Sequence, residues 1–257
     1  LPAILDYWER RGGDEAKRAL AILAEHRERL PVEARAMFLD RLAQAELKLL
    51  EPEKARQYWH ELATIQPENI RVKMGLFDLA LESENREEMT KLSTDLYQVE
   101  GEIGTAWKFA RATLLIEGVR HGASVDLGAS RDLEEAHSLA TRIGDAYPEL
   151  WYASVLQAEI AELSGLIPRA IGLYIRAIEL GNDQPAIAFR LVDLLSQGGH
   201  DQDTIVISEV LRDRGSHTTQ RDLSRVLEMF RKGDVEEGMA LAKRVLQRTP
   251  RHGSTHE

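Results

Sequence analysis

Apolar residues fall three and four places apart along most of the chain, the spacing of a buried helical stripe. Strict alternation of apolar and polar residues, the mark of a strand, is nearly absent. Its one candidate, Thr204–Ile207, is four residues long and sits inside a helical pattern. The helical segments come in pairs, each reading as a first helix, a turn, a second helix and a break. Gly165, Gly199 and Gly233 mark three of these turns and stand 34 residues apart. In the last copy the second helix is predicted to open near Gly233, with Asp234 as cap and Glu237 closing a capping box. Pro250 cannot continue that helix and marks its end.

The same phase runs back towards the start. Pro67 closes a copy whose second helix is expected over 52–63, and Pro148 closes one whose second helix covers 133–140. Pro31 closes the first, whose second helix starts at Asp14, and Asn85 with Glu88 repeats the capping pattern in the third. The predicted repeats are 1–33, 36–69, 70–103, 104–150, 151–184, 185–218 and 219–252, with a flexible tail over 253–257. The fourth is longer by about thirteen residues, 119–131, which are rich in Gly and Ser. That segment is expected to project as a loop from the edge, either as a tolerated insertion or as a partner contact.

A 34-residue period of paired helices resembles the tetratricopeptide repeat. The likeness rests on small residues at fixed places with bulky ones between them. In the fifth copy these are Ala158, Gly165, Ala170, Tyr174 and Ala177, and in the second Ala43, Ala55, Trp59, Leu62 and Pro67. In the seventh they are Val226, Gly233, Gly238, Ala242, Val245 and Pro250. A small residue lets two helices approach, and a large one fills the gap to the next repeat. Met89 and Thr204 depart from the usual Ala, and the closing Pro is missing after the third, fifth and sixth copies. The resemblance spans essentially the whole chain as about seven repeats. It implies an all-α fold, a right-handed α-solenoid of antiparallel helix pairs with about 14 helices, the first helices lining a concave wall. It also implies a protein–protein interaction scaffold, without chemistry of its own, that takes a peptide or helix of a partner in its groove.

Phase then assigns candidate wall residues: Arg41, Gln44, Arg71, Met74, Lys108, Phe109, Tyr152, Val155, Phe189 and Arg190, with Met37 and Asp40 beside them. The middle of that series is apolar and aromatic, so the groove is expected to favour hydrophobic anchors at its centre and mixed charge at its ends. The other reading is that Phe109, Tyr152 and Phe189 fill gaps between neighbouring helices. Chaperone-binding members of the resembled family hold a carboxylate with Lys and Asn on successive first helices. The places for Asn here read Gln44, Asp78, Ala112, Glu159, Asp193 and Leu227, so capture of an acidic tail in that manner is not expected.

Composition narrows the picture further. The 257 residues carry 43 acidic and 33 basic side chains, a net charge of −10, which argues against nucleic acid or anionic membrane as partner. There is no cysteine, so thiol chemistry, disulfides and cysteine-held metals are excluded. No apolar run is long enough to span a membrane. Eight histidines include His252 and His256, four apart near the end, but none forms HExxH, and no Gly-rich phosphate loop follows a strand. No catalytic residue, metal or cofactor is expected. The charge is uneven: Thr219–His252 carries net +3 and Ile70–Ile103 net −4, a gradient a partner would meet.

The ends add two expectations. The chain opens on Leu1-Pro2 without Met, as an excised or processed fragment would. The last repeat has no polar capping helix after it, so Met239, Ala242, Val245 and Leu246 are expected to meet a second copy or a continuation. The alternative function is therefore an assembly or secretion module of a larger bacterial envelope protein. The compartment, cytoplasmic or periplasmic and secreted, stays open.

Overall fold

The computed structural model describes residues 2–122, 127–182 and 184–198. The described residues form eleven α-helices and one short 3-10 turn, with no strand among them. In order they are α1 (Pro2–Arg11), α2 (Gly13–Glu25), the 3-10 turn (Arg27–Arg29), α3 (Val32–Lys48) and α4 (Pro52–Ile65). Then come α5 (Ile70–Glu82), α6 (Arg86–Glu100), α7 (Ala106–Arg120), α8 (Leu127–Ala146), α9 (Trp151–Leu163), α10 (Ile167–Glu179) and α11 (Pro185–Gly198). The second helix of the sixth repeat, the whole seventh repeat, the turn glycines Gly199 and Gly233, and the C-terminal apolar face lie outside the described residues.

Helix starts follow local chemistry. Pro52 opens α4 and Pro168 lies in the first turn of α10, where a missing N–H breaks no helical bond. Asn69 and Asn85 cap α5 and α6, their side chains accepting from the Val72 and Glu88 N–H groups, each at 3.2 Å. The Asn85 amide also donates to the Glu88 carboxylate at 3.2 Å, a side-chain form of the expected reciprocal cap.

Four helix ends close by one device, in which a residue of positive φ lets the next N–H reach back five residues. The bonds are Glu51 to Glu46 (2.9 Å), Asn85 to Ala80 (2.8 Å), Leu166 to Ala161 (2.8 Å) and Asn182 to Ala177 (3.0 Å). The positive-φ residues are Leu50, Glu84, Gly165 and Gly181. Leu50 and Glu84 stand 34 apart at the ends of first helices. Backbone conformation therefore carries the period where glycine does not mark it.

Two compact units divide the described residues at a boundary within α7, the first over 2–110 and the second over 111–198. In the first unit α3 packs on α4, α4 on α5 and α5 on α6, while α1 packs on α2 and α3. Ala43 and Ala55, the small residues of that pair, are fully buried with Leu39, Leu42 and Leu62. Trp59 of α4 lies so close over Gly75 of α5 that a methyl group there would sit 2.7 Å from the indole ring. In the second unit α9 packs between α8 and α10, and α10 also meets α11. One cluster joins Val155, Ala158 and Ala161 of α9 to Ala170, Tyr174 and Ala177 of α10 and Leu191 of α11.

Of the segment expected to loop out, 119–120 belong to α7 and 127–131 to α8, and residues 123–126 lie outside the described residues. Gly118, 34 residues after Glu84, falls where the period calls for a turn, yet it lies inside α7. The turn comes one helical turn later, at Gly122 with φ 66°, and α8 is already under way at Leu127 with 20 residues. Glu117 pairs with Arg120 and meets His121 at 3.1 Å, and Arg120 reaches Glu159 of α9 at 3.7 Å. These contacts hold the extra turn against the weak helix preference of its Gly and Ser neighbours.

Candidate functional site

The first helices of the first unit, α1, α3 and α5, are laced side by side through polar residues. Arg41 of α3 pairs with Asp6 of α1. Asp40, one residue earlier, takes three donors: the Arg71 guanidinium of α5 at 2.6 Å, the Gln44 amide at 3.0 Å and the Trp59 indole N–H of α4 at 3.3 Å. Asp40 thus ties α3 to α4 and α5 at once. Of the candidate wall, Arg41, Gln44 and Arg71 are brought together here, partly exposed. Met37, one turn before Arg41, is 70% exposed, and Tyr7, next to Asp6, is 53% exposed. The face carries paired charges with single apolar side chains standing out of it.

The remaining candidates divide by burial. Met74, Tyr152 and Val155 are buried, and Val155 is a member of the α9–α10 cluster. Lys108 is also buried, and its ammonium donates to the carbonyls of Ile103 (2.9 Å) and Gly104 (2.6 Å), which holds the chain entering α7. Phe109 and Phe189 are half-buried. Arg190 of α11 forks onto Glu162 of α9, with Nε at 3.0 Å, and reaches Asp193 at 2.5 Å. Its hydrogen bond to Glu162 is the main cause that holds the guanidinium's pKa up. Glu162 also accepts from the Tyr174 hydroxyl at 3.2 Å. Burial first, then the charges of Glu159 and Glu162, push the Tyr174 phenol well above its ordinary value. Arg190 therefore clamps α11 to α9. The apolar centre expected for the groove is, at Met74, Tyr152 and Val155, packing inside the units.

Between the second helices α4 and α6 a shallow cleft of about 580 Å³ is lined by His60, Lys73, Glu88, Lys91 and Asp95 among others. Its charges answer one another. Glu88 meets His60 at 2.9 Å and Arg56 at 3.3 Å, and Lys73 faces Asp95 at 3.8 Å. Among the described residues no three His, Asp or Glu side chains are grouped to hold a metal. No helix among them is long and apolar enough to cross a membrane.

Two participants lie outside the wall residues that phase picked out. Asp6 precedes Asp40 by 34 residues, so the period itself places it on the same face. Glu46 interrupts the apolar run at the end of α3, a polar residue on a core stripe, and it is fully buried.

No family model matches the chain, and no curated protein matches it in sequence. Solved structures do resemble it. A thermophilic TPR protein of Thermus thermophilus, TTC0263, superposes with a TM-score of 0.62 at 13% identity, over 80% of this chain and 99% of that one. PilF of Pseudomonas aeruginosa superposes with a TM-score of 0.51 at 14% identity, over 84% of this chain and 92% of that one. The fold is that of the tetratricopeptide repeat.

Proposed function

We propose that the chain is a non-catalytic protein-interaction scaffold that holds a segment of a partner protein against the α1–α3–α5 face of its first unit. The observation that carries this reading is the Asp6–Arg41 and Asp40–Arg71 lacing with Met37 exposed beside it. The lacing fixes three first helices in register, and the exposed methionine offers a deformable apolar contact on a rigid support. Both arginines are already neutralised within the chain, and Asp40 stands next to Gln44. An acidic tail would have to displace those aspartates, so the segment that fits is apolar or weakly charged where it meets Met37.

The test uses the full chain as bait, with Met37→Asp as the variant. Met37 is exposed, so the change leaves the fold intact, as circular dichroism can check. A partner held by the native chain should bind the variant about tenfold more weakly or worse, in line with losing one apolar anchor. Equal affinity for both would place the partner on another surface.

A further inference from the structure

α3 ends over a carboxyl group that no hydrogen-bond donor among the described residues reaches. Glu46 lies in the last turn of α3 with its side chain fully buried, and neither carboxyl oxygen has a hydrogen-bond partner among the described residues. Three charged groups face it. Lys54 of α4 brings its ammonium to 3.9 Å, beyond hydrogen-bond distance, and stands 3.7 Å from Glu51 as well. Glu51, in the α3–α4 corner, adds a like charge, and its own partner is Lys17 of α2. The phenol of Tyr58 on α4 is raised first by its burial and next by the charge of Glu46.

A buried carboxylate with no hydrogen bonds is strongly disfavoured, and proteins commonly resolve this by keeping the proton. Burial lifts the Glu46 carboxyl above the ordinary glutamate range; Lys54 and Lys17 oppose the shift and Glu51 adds to it. The backbone ties the same residue to the corner, because the Glu46 carbonyl accepts the Glu51 N–H at 2.9 Å across the left-handed Leu50.

We infer that Glu46 is a buried proton-binding site of the first unit, one that gives up its proton less readily than an exposed glutamate and whose ionisation loosens the α3–α4 corner. An ionised Glu46 has two exits. It can draw the Lys54 ammonium inward, away from Glu51, or turn out to water. The second exit unwinds the last turn of α3 and breaks the Glu51 to Glu46 bond that closes the corner. This device is independent of the partner-binding face.

The sign follows from linkage. A carboxyl raised in the folded state gives stability that is full below its unfolded value and is lost as pH rises through its folded value. Glu51 works the other way. Its hydrogen bond to Lys17 lowers its carboxyl, so its contribution is present at higher pH and fades as pH falls. The difference between the native chain and Glu46→Gln isolates Glu46.

Two measurements on the full chain test the inference. In a carbon-detected NMR titration, the Glu46 carboxyl should titrate above the roughly 4.3 of a model peptide; a midpoint at or below that value overturns the proton site, whether or not any variant folds. In thermal unfolding, Glu46→Gln should melt higher than the native chain at pH 8, with the gain vanishing by pH 4. A variant that melts lower than the native chain at pH 8, with the deficit shrinking toward pH 4, would mean that Lys54 holds an ionised carboxylate there, and would also overturn it.

Discussion

Leu50 and Glu84 hold left-handed backbone at φ 61° and 54°, a region that costs an L side chain about 1–2 kcal/mol. Glycine escapes that strain but brings extra freedom to the unfolded chain, worth about 0.5–1 kcal/mol in the other direction. Glu84→Gly should therefore stabilise the chain by roughly 0.5–1 kcal/mol in urea unfolding. A loss of stability would show that the corner gains more from the glutamate side chain than it loses in its backbone. Two helical glycines should answer oppositely to alanine. At Gly75 the new methyl meets the Trp59 ring at 2.7 Å, and overpacking of this kind costs about 1–3 kcal/mol. At Gly172 nothing lies within 4 Å, so alanine there should add about 0.5–1 kcal/mol of stability through helix propensity. A Gly75→Ala chain as stable as the native one in chemical denaturation would refute the close packing of α4 on α5. The turn glycine Gly165 was readable in the sequence because glycine is the usual left-handed residue. Leu50 and Glu84 were not, since their side chains give no hint of positive φ.

Between elements, Glu162 is the joint of the second unit. It carries the Tyr174 hydroxyl of α10 and the Arg190 fork of α11, so its loss should loosen two packings at once. Glu162→Ala is expected to cost about 1–3 kcal/mol, the range for hydrogen bonds to a charged group. Arg190 is 41% exposed, which keeps its own share small. A double-mutant cycle with Arg190→Ala should return a coupling of about 0.5 kcal/mol or more; additive losses would mean that the fork contributes nothing. The helix pairs and the cap at Asn85 were legible because an apolar stripe and a capping side chain each leave a local mark. The wall was only partly legible. A first helix in a stacked array touches neighbours on more than one side, so Met74, Tyr152 and Val155 share the phase of the wall and the burial of the core. Periodicity cannot separate those two roles. The extension of α7 past Gly118 was hidden for a related reason, since Gly content argued for a turn there while the pairings of Glu117 and Arg120 hold a further helical turn.

For the molecule as a whole, the fold is shared with solved structures that are only 13% and 14% identical to it. The lacing of α1, α3 and α5 neutralises its own charges, so partner affinity should change by less than about threefold as salt rises from about 0.05 to 0.5 M. A steep fall with salt, measured by calorimetry, would assign recognition to open charges elsewhere on the acidic surface. The central claim is that a partner lies on the first-helix face of the first unit. Hydrogen exchange of the full chain with and without its captured partner tests this most directly. The account predicts slowed exchange in α1, α3 and α5, strongest in the turn of α3 that holds Met37 and Arg41; protection confined to α4 and α6, or absent from the first unit, would contradict it.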